Sequence, residues 1–306
     1  MPTRRDLLQA TGALAGLAAC HALWPSLALA AELAQRPIPS SGERLPIIGL
    51  GTSQTFNVNP ADGAAMAPLR EVMQAFVQGG ARLIDTAPSY GDAEAVSGEL
   101  VHSGGLRDRV FLATKVSASG QLGGMQQIEQ SFKALQTERI DLIQVHNLAD
   151  TTTNLGILRA LKAQGRVRYI GVTHYLESAH ERLLQVLQQE PVDFVQFNYS
   201  VSERNAEKRL LPFCADKGIA VLVNRAFDAG RLFAQVKGKP VPEWAQNELQ
   251  ASSWAQLLLK FVLASPAVTT VIPATSNPRY MLDNLLAGQG PMPDAGQRER
   301  IAQAFA

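Results

Sequence analysis

Between residues 46 and 304, short apolar runs alternate with amphipathic helical stretches, and the pattern repeats eight times. The runs fall at 46–51, 82–86, 110–115, 140–146, 167–172, 193–198, 219–224 and 269–273. Helical stretches separate them at 66–78, 93–102, 124–136, 154–164, 178–189, 206–217 and 252–264, with a last pair at 278–287 and 294–304. Runs this short and this continuously apolar suit strands of a parallel sheet covered on both faces. Eight such units predict an α/β fold, a (β/α)8 TIM barrel in one domain. The rival is an open doubly wound sheet, but no G-x-G-x-x-G follows the first run.

Local signals agree with this division. Gly79-Gly80, Gly165 and Gly218 stand where helices end, and Asn277-Pro278 reads as a helix cap followed by a first-turn proline. The longest insert after a strand is 230–243, on the rim where a barrel builds its ligand site. The formal net charge is +1, which leaves no electrostatic footprint for nucleic acid.

The first thirty residues have a different character. Thr3-Arg4-Arg5-Asp6-Leu7-Leu8 matches a twin-arginine signal, and an apolar stretch leads to an A-x-A cleavage site at Ala28-Leu29-Ala30. The expectation is a signal at 1–30, a barrel at 31–306, and export of the folded protein to the periplasm. Leu17-Ala18-Ala19-Cys20 also matches a lipobox, which would place a lipid anchor on Cys20. The apolar run continues through Leu23, Trp24 and Leu27 and favours the longer signal. No other segment is apolar enough to span a bilayer. The second cysteine, Cys214, lies in a helical pattern and reads as a buried, inert thiol.

Titratable residues close three successive runs. L-I-D-T-A-P-S-Y-G (83–91), V-F-L-A-T-K (110–115) and D-L-I-Q-V-H-N (141–147) set Asp85, Tyr90, Lys115 and His146 at or just beyond strand ends. A parallel barrel carries its chemistry at that rim. This order of residues, and D-T-A-x-x-Y-G above all, resembles the aldo-keto reductases over roughly residues 45–290. The resemblance implies an enzyme that reduces an aldehyde or ketone with NADPH, NADH being the less favoured cofactor. A free tyrosine, with a pKa of about 10, holds its proton tightly at neutral pH, and a nearby ammonium favours the phenolate. The resemblance makes Tyr90 the general acid, Lys115 its tuner, Asp85 the partner of the lysine, and His146 the group that orients the carbonyl.

The same resemblance implies a cofactor strip on the later strands. Thr173 and His174, in G-V-T-H-Y, stand where the family has G-V-S-N, and Gln196 matches its glutamine. Asn224 and Arg225 replace the aromatic residue that stacks on the nicotinamide and its neighbour, and an arginine there can stack or bind pyrophosphate. The segment P-A-T-S-N-P-R-Y-M-L-D-N (273–284) resembles the adenosine-phosphate site. It contributes Thr275, Ser276, Arg279, Asp283 and Asn284, while Ala274 replaces a common lysine. Gly51 and Thr52, after the first strand, complete the expected cofactor contacts. Trp244 and Phe56 are candidate pocket walls. A small carbonyl compound is the expected partner, and a monomer the expected state.

A second functional class stays open: a cofactor-binding redox reporter on the same fold, without turnover. The altered Asn224-Arg225 pair and export away from an NADPH supply favour it, and the intact tetrad favours the enzyme. A metal-dependent barrel hydrolase or lyase has no His-x-His or tight His/Asp cluster to support it, so no metal is expected.

Overall fold

The computed structural model describes residues 32–305. The twin-arginine motif, the A-x-A site and Cys20 lie outside the described residues.

A small antiparallel hairpin comes first, β1 (Gln35–Pro37) paired with β2 (Arg44–Pro46). Eight parallel strands follow in sequence order: β3 (Leu50–Gly51), β4 (Leu83–Asp85), β5 (Phe111–Val116), β6 (Ile140–Val145), β7 (Val167–Thr173), β8 (Phe194–Asn198), β9 (Ala220–Asn224) and β10 (Thr270–Val271). Parallel bridges from Ile48 to Val271 and from Gly51 to Ala274 join the last strand to the first. Gly49 N donates to Val271 O at 2.8 Å and Gly51 N to Pro273 O at 3.0 Å, so the sheet closes. This is a (β/α)8 barrel, with every strand where the apolar runs predict it.

Side chains alternate across each strand, so one set of alternate residues points into the barrel. Leu83, Phe111, Ala113, Leu142, Tyr169, Phe194, Ala220, Leu222 and Ile272 form one buried cluster with Ile38 and Leu45. Phe111, Tyr169 and Phe194 pack ring against ring, with centroids 5.5 to 6.0 Å apart. Ile38 and Leu45 belong to the hairpin, which closes the floor of the barrel. Tyr169 Oη, at that floor, donates within reach of Ser41 Oγ (2.8 Å) and Glu43 Oε2 (2.9 Å). Stepping by twos toward the strand ends, the same inward face changes from apolar to polar: Leu83 to Asp85, Ala113 to Lys115, Leu142 to Gln144, Phe194 to Gln196. Apolar packing fills the lower barrel, and the polar residues collect at its C-terminal end.

The larger buried cluster lies between the sheet and the helices. Helix Gly63–Gln78 starts on the Asp62 carboxylate and ends at Gly79, and helix Pro278–Leu286 starts on the Asn277 side chain with proline in its first turn. Gly165 and Gly218 are both left-handed, at φ +74° and +64°, as their place at helix ends requires. The insert after β9 holds two short helices, Arg231–Gln235 and Glu243–Leu249, absent from the sequence expectation. Cys214 is a free, fully buried thiol, and burial pushes its pKa up to about 12.

Candidate active site

Asp85 is the last residue of β4, Lys115 the penultimate residue of β5, and His146 the first residue beyond β6. Asp85 and Lys115 are both buried, and their side chains meet at 2.7 Å between Nζ and Oδ2. Lys115 Nζ also donates to Thr86 O at 2.8 Å. Burial on its own would lower the lysine pKa. Asp85, and after it Tyr90, outweigh that effect and hold the ammonium above its usual value. The charge is therefore fixed in a site that water does not screen.

The ammonium lies 4.9 Å from the centre of the Tyr90 ring. Tyr90 sits half-buried in a turn after β4, where Tyr90 N donates to Ala87 O at 3.0 Å. Gly91 follows at φ +63°, and a Cβ there would come within 2.1 Å of Asn57 Oδ1. The left-handed backbone favours glycine, and any side chain there would displace that of Asn57, which ties the turn to the loop after β3 by accepting from Asp92 N at 3.0 Å. The His146 ring stands edge-on to Tyr90, with centroids 5.9 Å apart and an interplanar angle of 85°. Burial, then Lys115 and His174, bring the His146 pKa down to about 4. At neutral pH this imidazole is uncharged.

Asp85 is held on its other oxygen too. Gln196 Nε2 donates to Oδ1 at 2.9 Å, and Gln144 Nε2 lies 3.5 Å from the same atom. Thr173 Oγ1 donates to Gln196 Oε1 at 3.1 Å, and Asn224 Nδ2 lies 3.3 Å from it. A continuous polar chain therefore runs from Lys115 through Asp85 and Gln196 to Thr173 and Asn224, joining the ends of β4, β5, β7, β8 and β9, with Gln144 of β6 beside Asp85. Asp85 and Lys115 of the tetrad thus join Thr173, Gln196 and Asn224 of the later strands in one network. Gln144 was not foreseen, although its place two residues after inward-facing Leu142 marks it by alternation. Glu94 was also missed: it is buried behind the lysine strand and accepts from Thr114 Oγ1 at 2.5 Å. Burial, ahead of the opposing bonds from Thr114 and Ser131, raises its pKa.

The other expected contacts fall on the same rim with varied surroundings. Gly51 ends β3 and lies against Ile272 O. The Thr52 hydroxyl is committed to Asp85 O at 3.0 Å. His174 Nδ1 accepts from Leu176 N at 3.2 Å, and its ring stacks on Tyr175. Arg225 lies over the same Tyr175 ring, 5.4 Å from its centre, and forms no ion pair among the described residues. Thr275 is buried and accepts from Asn277 N at 3.0 Å, whereas Ser276 and Arg279 are exposed. Asn284 is buried. Asp283 is spoken for: Ser253 Oγ and Gln256 Nε2 donate to its two oxygens, each at 2.6 Å. Its carboxylate ties two helices together. Phe56 is fully buried in the core, and Trp244 lies under Arg300 at 3.9 Å, so both are committed to packing.

Backbone strain concentrates on this rim. Non-glycine residues at positive φ include Gln54 after β3, Asn147, Leu148 and Asp150 after β6, and Arg225, Asp228 and Ala229 after β9. Such conformations cost roughly 1–2 kcal/mol each and gather where function over-determines the backbone. Among the described residues, no group of three or more His, Cys, Asp or Glu side chains is placed to hold a metal ion.

The class defined by fold and site is a (β/α)8 barrel with a buried Asp–Lys pair under a rim tyrosine and histidine. The profile of the aldo/keto reductase family matches residues 47–301, and this chain belongs to that family. It is 32% identical to the methylglyoxal reductase YeaE of Escherichia coli over 248 residues, covering 78% of this chain and 84% of that one. It is 30% identical to the aldo-keto reductase YhdN of Bacillus subtilis over 177 residues, a match that spans about half of that relative, 53% of each chain. A Klebsiella pneumoniae aldo-keto reductase solved in complex with NADPH superposes with a TM-score of 0.72 at 27% identity, over 86% of this chain and 92% of that one.

Proposed function

We propose that the protein is an NAD(P)H-dependent reductase that converts a small aldehyde or ketone to an alcohol. The observation that carries this reading is the buried Lys115 ammonium, held by Asp85 at 2.7 Å and lying 4.9 Å from the Tyr90 ring. A bound nicotinamide dinucleotide would supply the hydride. Tyr90 gives its proton to the carbonyl oxygen as charge develops there, and Lys115 stabilises the phenolate left behind. Asp85 neutralises and anchors the lysine, which burial would otherwise discharge. Neutral His146 offers an N–H to the same oxygen and fixes the direction of the carbonyl.

The residues present fit the dinucleotide. Asn224 Oδ1 and Arg225 Nε are buried without partners at the end of β9. An open acceptor beside an arginine without a carboxylate suits a ligand bearing an amide and phosphates. Thr173, His174, Gln196 and Asn224 would hold the nicotinamide end. Arg225, Thr275, Ser276 and Arg279 would meet the phosphates, with Gly51, Thr52 and Asn284 lining the strip. Each Asp283 oxygen already accepts one hydrogen bond, and the carboxylate would act chiefly through helix packing. NADPH is the proposed cofactor: Arg279 is free to face a 2′-phosphate, and structural neighbours are complexes with NADP and NADPH. One Escherichia coli relative is described as an NADH-specific methylglyoxal reductase, so both cofactors belong in the assay.

Relatives described as methylglyoxal and glyoxal reductases suggest small dicarbonyls as first substrates. Steady-state loss of reduced-nicotinamide absorbance with methylglyoxal, run with NADPH and with NADH, tests the reading. No turnover above background with either cofactor would favour the redox-reporter reading, which Asn224 in place of a stacking aromatic supports. The twin-arginine segment carries a further proposal, export of the folded protein to the periplasm. Replacing Arg4 and Arg5 with lysine should leave the protein in the cytoplasmic fraction, and unchanged fractionation would count against it.

A further inference from the structure

The His146 imidazole has one side chain within hydrogen-bond reach of a ring nitrogen among the described residues. Ser89 Oγ lies 3.4 Å from His146 Nδ1. Among the described residues, neither a carboxylate nor a backbone carbonyl pairs with the ring. Its environment (burial, the Lys115 ammonium, His174) opposes a second proton, so the ring is neutral and carries one hydrogen on one of two nitrogens. Which nitrogen carries it decides whether His146 can donate to a substrate at all. A carboxylate at Nδ1 would hold the proton there. A hydroxyl can instead donate, because it rotates to suit its partner.

Both residues of this pair stand in hydrogen-bonded turns. Ser89 sits between Pro88 and Tyr90, in the turn that Tyr90 N closes on Ala87 O. His146 is followed by left-handed Asn147 and Leu148, and its carbonyl accepts from Ala149 N at 3.0 Å. Nδ1 faces the serine, and Nε2 has no hydrogen-bond partner among the described residues.

We propose that Ser89 is a positioning residue for His146: its hydroxyl donates to Nδ1 and keeps the imidazole proton on Nε2, where a substrate carbonyl can accept it. This rests on the reductase reading above, in which His146 orients the carbonyl. It adds a residue that the four-residue pattern does not contain, and one that acts only through the histidine.

Ser89 is exposed, so its replacement leaves the core intact. Ser89→Ala removes one neutral hydrogen bond and should lower kcat about three- to tenfold, with the KM for NADPH unchanged. Ser89→Thr retains the hydroxyl and should recover most of the loss. Nitrogen-15 NMR of the histidine-labelled, cofactor-free protein at neutral pH reads the tautomer directly. The wild type should show Nε2 protonated and Nδ1 bare, and Ser89→Ala should show an averaged mixture. A wild-type ring protonated on Nδ1, or a spectrum unchanged in Ser89→Ala, overturns the proposal. So does an equal kinetic loss in the alanine and threonine variants, which would mark a steric role. The NMR comparison needs no turnover, so failure of the reductase reading and failure of the Ser89 assignment appear separately.

Discussion

At the scale of single residues, two charge states govern the site. The first is the buried Lys115–Asp85 pair. Removing one partner leaves an uncompensated buried charge, so Asp85→Ala should destabilise the fold by about 3–5 kcal/mol. Denaturant unfolding at neutral pH measures this, and a change within error would show that Gln144, Gln196 or water replaces the carboxylate. The second is neutral His146, whose pKa is depressed to about 4. The folded state binds this proton later than the unfolded chain does on acidification. His146 therefore contributes stability above pH 6.5, and the contribution fades as pH falls toward 4. In NMR titration of the free protein the His146 resonance should stay unprotonated through pH 6, and a midpoint near 6.5 would contradict the burial argument. The identities of Asp85, Tyr90, Lys115 and His146 were legible because each directly follows an apolar run or stands in D-T-A-x-x-Y-G. The commitment of Asp283 was not legible. Its partners Ser253 and Gln256 lie 30 and 27 residues away, on another helix.

At the scale of elements, the turn bearing Tyr90 runs directly into helix Ala93–Ser103, and that helix is held close to its neighbour by a glycine. A Cβ on Gly98 would meet Ala134 O at 2.2 Å and Leu135 Cα at 2.8 Å, both backbone atoms that cannot rotate away. Gly98→Ala should lower stability by about 1–3 kcal/mol through overpacking, against the small gain that alanine brings to an open helix. A stabilised variant in thermal or denaturant unfolding would mean that the two helices separate easily. The main strands and helices were readable because their apolar spacing spans whole elements. The hairpin Gln35–Pro37 with Arg44–Pro46 was not, since three-residue strands containing arginine, glutamine and proline show no period. It forms because Ile38 and Leu45 find the barrel floor, a tertiary reason. The helices within the insert after β9 are five and seven residues long, too short for an apolar stripe to register.

At the scale of the whole molecule, the barrel separates stability from chemistry along its axis. The floor is sealed by the hairpin and stapled by Arg36, whose guanidinium donates to Leu263 O at the end of helix Trp254–Leu263 and to Ser265 O and Val268 O beyond it. Arg36→Ala would leave these half-buried carbonyls short of donors and should cost about 1–3 kcal/mol. Because the staple is at the end away from the rim, kcat and cofactor affinity should not change, and a loss of either in the folded variant would show that the two ends are coupled. The rim carries the polar network, the strained loops and the proposed cofactor strip. There, in the proposed reaction, Tyr90 delivers a proton while bound cofactor delivers a hydride. The most direct test loads residues 31–306 with NADPH, adds an activated aldehyde, and follows a single turnover beside Tyr90→Phe. The account predicts oxidation by the wild-type protein and a loss of about 10²-fold or more in the variant, with NADPH binding retained. NADPH bound by both proteins and oxidised at the same rate by both would contradict it.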